Sequence, residues 1–365
     1  LVLALCNDCG YVYLPYVLNP KLSYENYVYE TKVTTGLNLQ YEDYAKHITS
    51  YYRIEKSSLV VDIGSNDGTT LNAFSRCGMR VLGIEPNEKI ARVANNKGLD
   101  TINGYFESDI VETILNNYSQ PLLVTANYVF ANIDNIIEFT KNVRKLLSSN
   151  GLFSIQTGYH PEQMSIDMFD YIYHEHFSYF TVGVLKYLLQ VAGMELIHVE
   201  LHPAKGGSIR AIAQLSGGRR LVESSVASFL QFEENFGVRD HNIYHEFSNK
   251  ISWHKKNLSD LLSKLRSTNK TIVGYGASHS TTTLLYHFQL NDYLSYLVDD
   301  NSKKEGLLSP GYHLPVYSSD RLYRERPEYV LVLAWQHRER ILDRHKKLQD
   351  SGTKFIIPLP VLTVC

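Results

Sequence analysis

Four cysteines in 365 residues are too few for a disulfide framework. Only Cys6 and Cys9 stand together, as C-N-D-C-G, while Cys77 and Cys365 are isolated. Charge of one sign is also missing. Lys and Arg number 36 against 38 Asp and Glu, a net charge of −2 with no basic block, so no nucleic-acid surface is implied. Long hydrophobic runs are absent as well. Stretches such as Tyr329 to Trp335 fall far short of the ~20 residues of a membrane helix. Leu1 to Leu5 is too short for the apolar core of a signal peptide and lacks a basic flank, so a cytoplasmic location is expected. Tandem repeats and low-complexity linkers are lacking too. What is present is an ordinary globular composition, 44% hydrophobic and 20% charged, rich in Tyr (27) and His (14). At ~150 residues per domain the length predicts two or three domains.

A β/α alternation begins at Leu59-Val-Val-Asp-Ile63. Further strands are expected at Val81–Glu85, Asp100–Ile102, Leu122–Thr125 and Leu152–Ile155, with helices between them, as in a parallel doubly wound sheet. A helix over 183–193, strands near 195–201 and 208–214, and helical periodicity over 219–266 follow. A second series opens at Thr271–Tyr275, with strands at Tyr296–Val298, Tyr329–Ala334 and Lys354–Pro358. The reading is α/β, with two Rossmann-like sheets.

Asp62-Ile-Gly-Ser-Asn-Asp-Gly68 sits where a strand meets a helix. Gly64 and Gly68 permit close approach of backbone to a ligand. Glu85 ends the next strand, where a carboxylate can accept both hydroxyls of a ribose. Asn66 takes the place of the central Gly of G-x-G-x-x-G, with Asp67 beside it, so a nucleoside is favoured over a pyrophosphate. The pattern resembles the S-adenosylmethionine (SAM) site of class I methyltransferases. That likeness implies Phe106 beside the adenine and Asn127 near the methionine end.

The second turn, Val273-Gly-Tyr275-Gly276-Ala-Ser278, has His279 at the third Gly position. It could cradle a diphosphate on backbone N–H groups and hydroxyls, or be purely structural. Lys205-Gly206-Gly-Ser208-Ile-Arg210 is a further Gly turn between cations that suit a phosphate or sugar hydroxyls. The densest chemistry is Tyr171-Ile-Tyr173-His-Glu175-His176-Phe-Ser-Tyr179. If the run is extended, alternate residues share a face. A carboxylate beside a histidine orients the ring and raises its basicity, and a Tyr hydroxyl can donate to an oxyanion. A metal reading of His174-x-His176 lacks a marked third ligand, and an aromatic-core reading stays open.

Together these strings resemble the sugar nucleotide C-methyltransferases acting on NDP-4-keto-deoxysugars. The likeness rests on Leu5 to Gly10, Tyr27-Val-Tyr29, Asp62 to Gly68, Asn127 to Asn132, the Y-H-E-H string, Lys205 to Arg210, the G-Y-G-A turn and Phe355 to Pro360. The family implies a zinc module (1–20, here a remnant), a SAM-binding methyltransferase domain (21–195) and a C-terminal Rossmann-like sugar-nucleotide domain (196–365). It implies SAM as methyl donor. It implies His176 as a base that removes the proton α to the ketone, Glu175 orienting it, Tyr173 and Tyr27 at the enolate oxygen, and methylation at C-3. Lys205, Gly206, Ser208, Arg210, Tyr275, Gly276, Ser278 and His279 would hold the substrate. Cys6 and Cys9 would be half of a zinc site whose other ligands precede Leu1. The partners would be small molecules, with no nucleic acid or membrane, on a monomer or homodimer. Asn132 stands where many members have His, and Lys205 replaces the His of H-G-G-S. Asn can donate a hydrogen bond but cannot shuttle a proton. A sugar-nucleotide-binding homologue with altered catalysis and an NAD-linked oxidoreductase are the alternatives.

Overall fold

Every residue of Leu59–Ile63 is buried, as befits a strand covered by helices on both faces. This segment is the centre of a seven-stranded sheet in the computed structural model, which describes residues 1–19 and 37–365. The strands in chain order are β1 (Ala4–Leu5), β2 (Val12–Tyr13), β3 (Leu59–Ile63), β4 (Arg80–Glu85), β5 (Thr101–Asn103), β6 (Leu123–Asn127), β7 (Leu152–Gly158), β8 (Ser178–Tyr179), β9 (Met194–His202), β10 (Ser208–Leu215), β11 (Ile272–Tyr275), β12 (Leu297–Asp299), β13 (Val316–Ser318), β14 (Tyr329–Val332), β15 (Lys354–Ile357) and β16 (Thr363–Val364). The large sheet has the order β5-β4-β3-β6-β7-β10-β9, and only β10 runs against the other strands, pairing antiparallel with β7 on one side and β9 on the other. The chain winds outward from β3 to β5, then crosses back to β6. The switch point therefore lies between β3 and β6, and ligands bind outside the carboxyl ends of the strands there.

The chain divides into two compact units: Val2–Pro161 with His174–Arg239, and Glu162–Tyr173 with Asp240–Cys365. In the first, the sheet continues past the 195/196 boundary expected from sequence. β10 is buried at its first seven positions and pairs with β7 from Ser208↔Gly158 to Gln214↔Leu152. Nor is the N-terminal stretch a free-standing module. β1 and β2 form a hairpin that joins β8 in a three-stranded sheet. Among core rings, Phe130 packs against Phe139, Phe153 and Phe180.

The second unit carries the sheet β13-β12-β11-β14-β15-β16, parallel except for β16. Its entry is the helix His241–Ser267, which turns Phe247, Ile251, Leu258 and Leu262 inward. The helical stretch expected over 219–266 is broken, because Gly237 ends the helix Ser224–Phe236 in a left-handed C-cap and Asp240 caps the next. The segment Glu162–Tyr173 packs within this unit. Phe169 stacks on Phe288, and the buried Asp170 accepts from Trp335 Nε1 (3.0 Å) and Gln336 Nε2 (2.7 Å).

Gly83 in β4 has no room for a side chain: a Cβ there would lie 2.4 Å from Ser65 Oγ and 2.8 Å from both Leu71 Cδ1 and Thr101 Oγ1. Gly83→Ala should lower stability by about 1–3 kcal/mol through overpacking, read as a fall in the urea midpoint. An unchanged midpoint would mean that the strand yields without cost.

A candidate nucleoside and acceptor site

At the carboxyl end of β3 the chain turns sharply. Gly64 and Ser65 donate to Ile84 O, and Asn66 and Gly68 both have positive φ (49° and 80°). Gly68 precedes the helix Thr69–Arg76, and a Cβ there would meet Leu99 Cδ1 at 2.6 Å, so the left-handed turn and the tight packing both need glycine. Asp67 is fully buried and accepts from Thr69 N (3.2 Å) and Thr69 Oγ1 (2.6 Å), which makes it a brace of the turn. Glu85 at the end of β4 accepts from Asn66 N (3.0 Å) and Asn87 N (2.8 Å). Burial raises its pKa. Asn87 was not singled out from the sequence, although its position just before the helix Glu88–Asn96 is that of an N-cap; its side chain accepts from Ile90 N.

Across the switch point, Asp62 accepts from Thr125 Oγ1 (2.5 Å) and Asn127 Nδ2 (3.3 Å). Burial pushes its pKa up to about 7. Asn127 Oδ1 and Ser65 Oγ are buried and have no hydrogen-bond partner among the described residues. Asn127 Oδ1, at the switch point, is a buried acceptor that a bound polar ligand would complete. A nucleoside donor with a polar tail therefore fits these residues. Phe106 gives most of its surface to the core, its ring 5.0 Å from Phe139 in an edge-on contact.

The Y-H-E-H string is not an extended strand. Phe169–Tyr171 is a 3-10 turn, residues 173–175 bend, and the strand covers only Ser178–Tyr179, so the expected alternation of faces does not hold. The reason lies in what grips the segment. Phe177 N donates to Ala131 O (2.7 Å), Leu14 N donates to Phe177 O (3.0 Å), and Tyr11 Oη lies 2.5 Å from Ser178 Oγ. His176 is thereby brought next to the 3-10 turn Phe130–Asn132, so the structure places Asn132 and His176 on neighbouring segments. Glu175 lies in the bend. Tyr173 closes the other unit, with its ring 5.7 Å from that of His279. Tyr27 lies outside the described residues.

Among the expected substrate residues, Arg210 is committed elsewhere. Its guanidinium pairs with Glu200 (2.6 Å), donates to Gln156 Oε1 (2.9 Å) and lies over the Tyr44 ring. It ties strands of the sheet. Tyr275 likewise turns its hydroxyl into the core, 2.9 Å from His345 Nε2. Ser208 Oγ donates to Ala204 O (2.9 Å) and closes the turn that holds Gly206 and Lys205. The ammonium of Lys205 sits 3.9 Å above the ring of Tyr128, a residue to which the sequence drew no attention.

In the second unit, Gly276 has φ 112° and a Cβ there would press on Ala334. Ser278 caps the helix His279–Phe288 and accepts from Thr281 N. At the end of β12, Asp299 accepts from Ala277 N (2.8 Å), Asn301 N (2.9 Å) and Lys304 Nζ (3.0 Å). The first two bonds repeat the pattern around Glu85, while the lysine has no counterpart there.

Cys6 and Cys9 lie on a tight turn closed by Cys6 N to Tyr11 O (2.8 Å) and Gly10 N to Cys6 O (2.9 Å). Backbone N–H groups of Cys9 and Asp8 aimed at the Cys6 thiol lower its pKa, while burial raises that of Cys9. Among the described residues no group of three or more His, Cys, Asp or Glu surrounds them. Two thiols do not satisfy a four-coordinate structural zinc, so the expected metal site is not formed by these residues and no role is derived from it.

The strand order, the glycine turn after β3 and the carboxylate ending β4 define a class I methyltransferase domain. Comparison with known proteins agrees. A family model described as a methyltransferase domain matches residues 37–199, and one described as a C-methyltransferase C-terminal domain matches residues 203–360. The C-methyltransferase NovU of Streptomyces niveus is 30% identical over 356 residues, which are 97% of this chain and 85% of that protein. The chain belongs to the C-methyltransferase family. Solved structures similar to it include the CcbJ methyltransferase from Streptomyces caelestis, at 12% identity and TM-score 0.40, covering 53% of this chain and 95% of that one. Another is magnesium protoporphyrin IX methyltransferase from Synechocystis, with bound SAH, at 11% identity and TM-score 0.39, covering 49% and 84%. No helix among the described residues is long and apolar enough to cross a membrane.

The buried Asp62 makes a pH prediction. Its folded pKa lies above the ordinary carboxyl value, so the folded state binds the proton more tightly. Its contribution to stability is present at low pH and is lost as pH rises from about 4 to about 7. Relative to Asp62→Asn, the wild type should lose stability across that window at up to about 1.4 kcal/mol per pH unit. Urea unfolding of both proteins at pH 4.5, 6 and 7.5 checks this; a constant difference would show that Asp62 titrates normally.

Proposed function

We propose that this protein is a SAM-dependent C-methyltransferase whose acceptor is an NDP-4-keto-deoxysugar, methylated at the carbon next to the ketone, C-3. The observation that carries the donor half is the Asp62–Asn127–Glu85 arrangement, with the buried Asn127 Oδ1 left without a partner among the described residues at the switch point. SAM supplies an electrophilic methyl group on a sulfonium. Glu85 would take the ribose hydroxyls, Gly64 and Gly68 would let the backbone close on the ligand, and Asn127 would face its polar tail.

His176 is the base that takes the proton α to the ketone. Glu175, next to it in the bend, orients the imidazole, and the grip on Phe177 holds both. Tyr173 and Tyr27 serve the ketone oxygen. Asn132 can hold a hydroxyl or a water but moves no proton. The turn Gly276 to His279 is the place for the nucleotide's phosphates, with the helix His279–Phe288 behind it. The echo of the Glu85 pattern at Asp299 supports a nucleotide there, and Lys304 beside that carboxylate favours an anionic one. The reading places the enzyme in the cytoplasm with two small-molecule partners.

Two measurements test it. S-adenosylhomocysteine should raise the melting temperature and NAD should not; Glu85→Ala should weaken that binding by about 10-fold or more, as expected for losing charge-assisted hydrogen bonds. A shift with NAD alone would favour an oxidoreductase. His176→Ala should cut methyl transfer by at least about 100-fold while S-adenosylhomocysteine still binds. Near-full activity would remove His176 as the base.

A further inference from the structure

One cation at the ligand-binding edge of the large sheet is not used by the chemistry above. Lys205 lies in the turn Ala204–Gly206 between β9 and β10. β10 pairs with β7 from Ser208↔Gly158, so this turn stands at the carboxyl end of β7, on the ligand-binding edge of the sheet. Its ammonium rests on the face of Tyr128, the residue that directly follows Asn127. Lys205 and Tyr128 are both non-glycine residues in left-handed conformations (φ 53° and 58°). Such strain persists only where surrounding structure imposes it, and it gathers at functional sites. Here the surroundings are specific. Tyr128 N donates to Gln156 O (2.7 Å), and Tyr128 Oη accepts from Gln156 Nε2 (2.8 Å). The Gln156 amide oxygen is held by Arg210. The ring is locked at both ends, and the cation is laid on it one residue from the switch point.

We propose that Lys205 is a further catalytic residue, the cation that meets the acceptor's ketone oxygen as negative charge develops there. The inference rests on the C-methyltransferase reading of the site. When the base takes the α proton, the C–H electron pair becomes the C=C bond and the carbonyl π pair moves onto oxygen. Lys205 N–H⁺ donates a hydrogen bond to that oxygen. On methyl transfer the oxygen pair returns to re-form C=O, the new C–C bond forms, and the C–S bond breaks with its pair left on sulfur. Lys205 keeps its proton throughout, and no oxidant or reductant is needed. A lysine here performs electrostatically what Asn132 cannot do as a neutral amide.

The working form is the ammonium. Its end of the side chain is the buried part of a partly exposed residue, and burial lowers its pKa to about 8. Among the described residues, the other titratable groups of this corner include Tyr128, His202, Glu200 and Arg210. Burial, aided by Arg210, lowers the pKa of His202, so it stays neutral. His198, with Arg210, holds Glu200 ionised at about 2. A Lys205 ammonium that takes part in catalysis gives an activity limb near pH 8.

The test uses the full chain, a ketosugar nucleotide that it methylates, and three proteins: wild type, Lys205→Met and Lys205→Arg. Wild-type kcat should fall as pH rises through about 8. Lys205→Met should lose about 100-fold in kcat, with little change in KM or in S-adenosylhomocysteine affinity, and should slow exchange of the sugar's α proton with deuterated solvent to a similar degree. Lys205→Arg should recover part of the rate and shift the alkaline limb upward, which a packing role would not do. A Lys205→Met enzyme with normal kcat, or with KM alone raised, overturns the proposal and leaves the methyltransferase reading intact. A wild type that neither exchanges nor methylates any ketosugar nucleotide overturns both.

Discussion

The site hangs on one buried carboxylate. Asp62, next to last in the central strand, accepts from Thr125 and Asn127 of β6, so it clamps the two strands that part at the switch point. Removing a carboxylate from water is costly unless hydrogen bonds replace the solvent. Here two replacements come from the strand across the crevice. β3 and β6 are thus held in register where the glycine turn begins and Tyr128 leaves. The glycine turn after β3 and the residues that follow Asn127 inherit their positions from this contact.

Glu85 extends the same logic by one strand. Its two backbone bonds fix the turn after β3 to the end of β4, which spares the turn's N–H groups from being buried unpaired. Asp299 repeats the device in the second unit with Ala277 and Asn301. The two lobes thus solve one backbone problem alike: a sharp strand-to-helix turn exposes N–H groups that a carboxylate on the next strand can accept. Lys304 is where they diverge, adding charge to the second site.

The position of His176 follows from a different constraint. A bend in a polar, aromatic-rich segment has no regular partner for its backbone, so tertiary contacts must supply one. The N-terminal hairpin supplies it through Leu14 and through β2. Whatever else Cys6 and Cys9 do, the turn they sit on shapes the hairpin that holds the segment of His176.

Much was legible in sequence. The runs that became β3, β4, β6, β7, β11, β14 and β15 were visible as short apolar segments between turn signals, because strands buried on both faces leave that mark without any tertiary information. Glu85 was visible for a similar reason: its backbone partners Asn66 and Asn87 are near it in the chain. What the sequence could not decide lay in long-range pairing. Arg210 looked like a cation for phosphate, yet β10 folds against β7 and turns it onto Gln156 and Glu200. The Y-H-E-H string looked extended, yet Ala131 and Leu14 bend it. Lys205 was one cation in a loop until antiparallel pairing set its ammonium on Tyr128. Local pattern determined which elements form. Only the tertiary structure decided which charges are paired and which are not, because that choice is made by segments far apart in the chain.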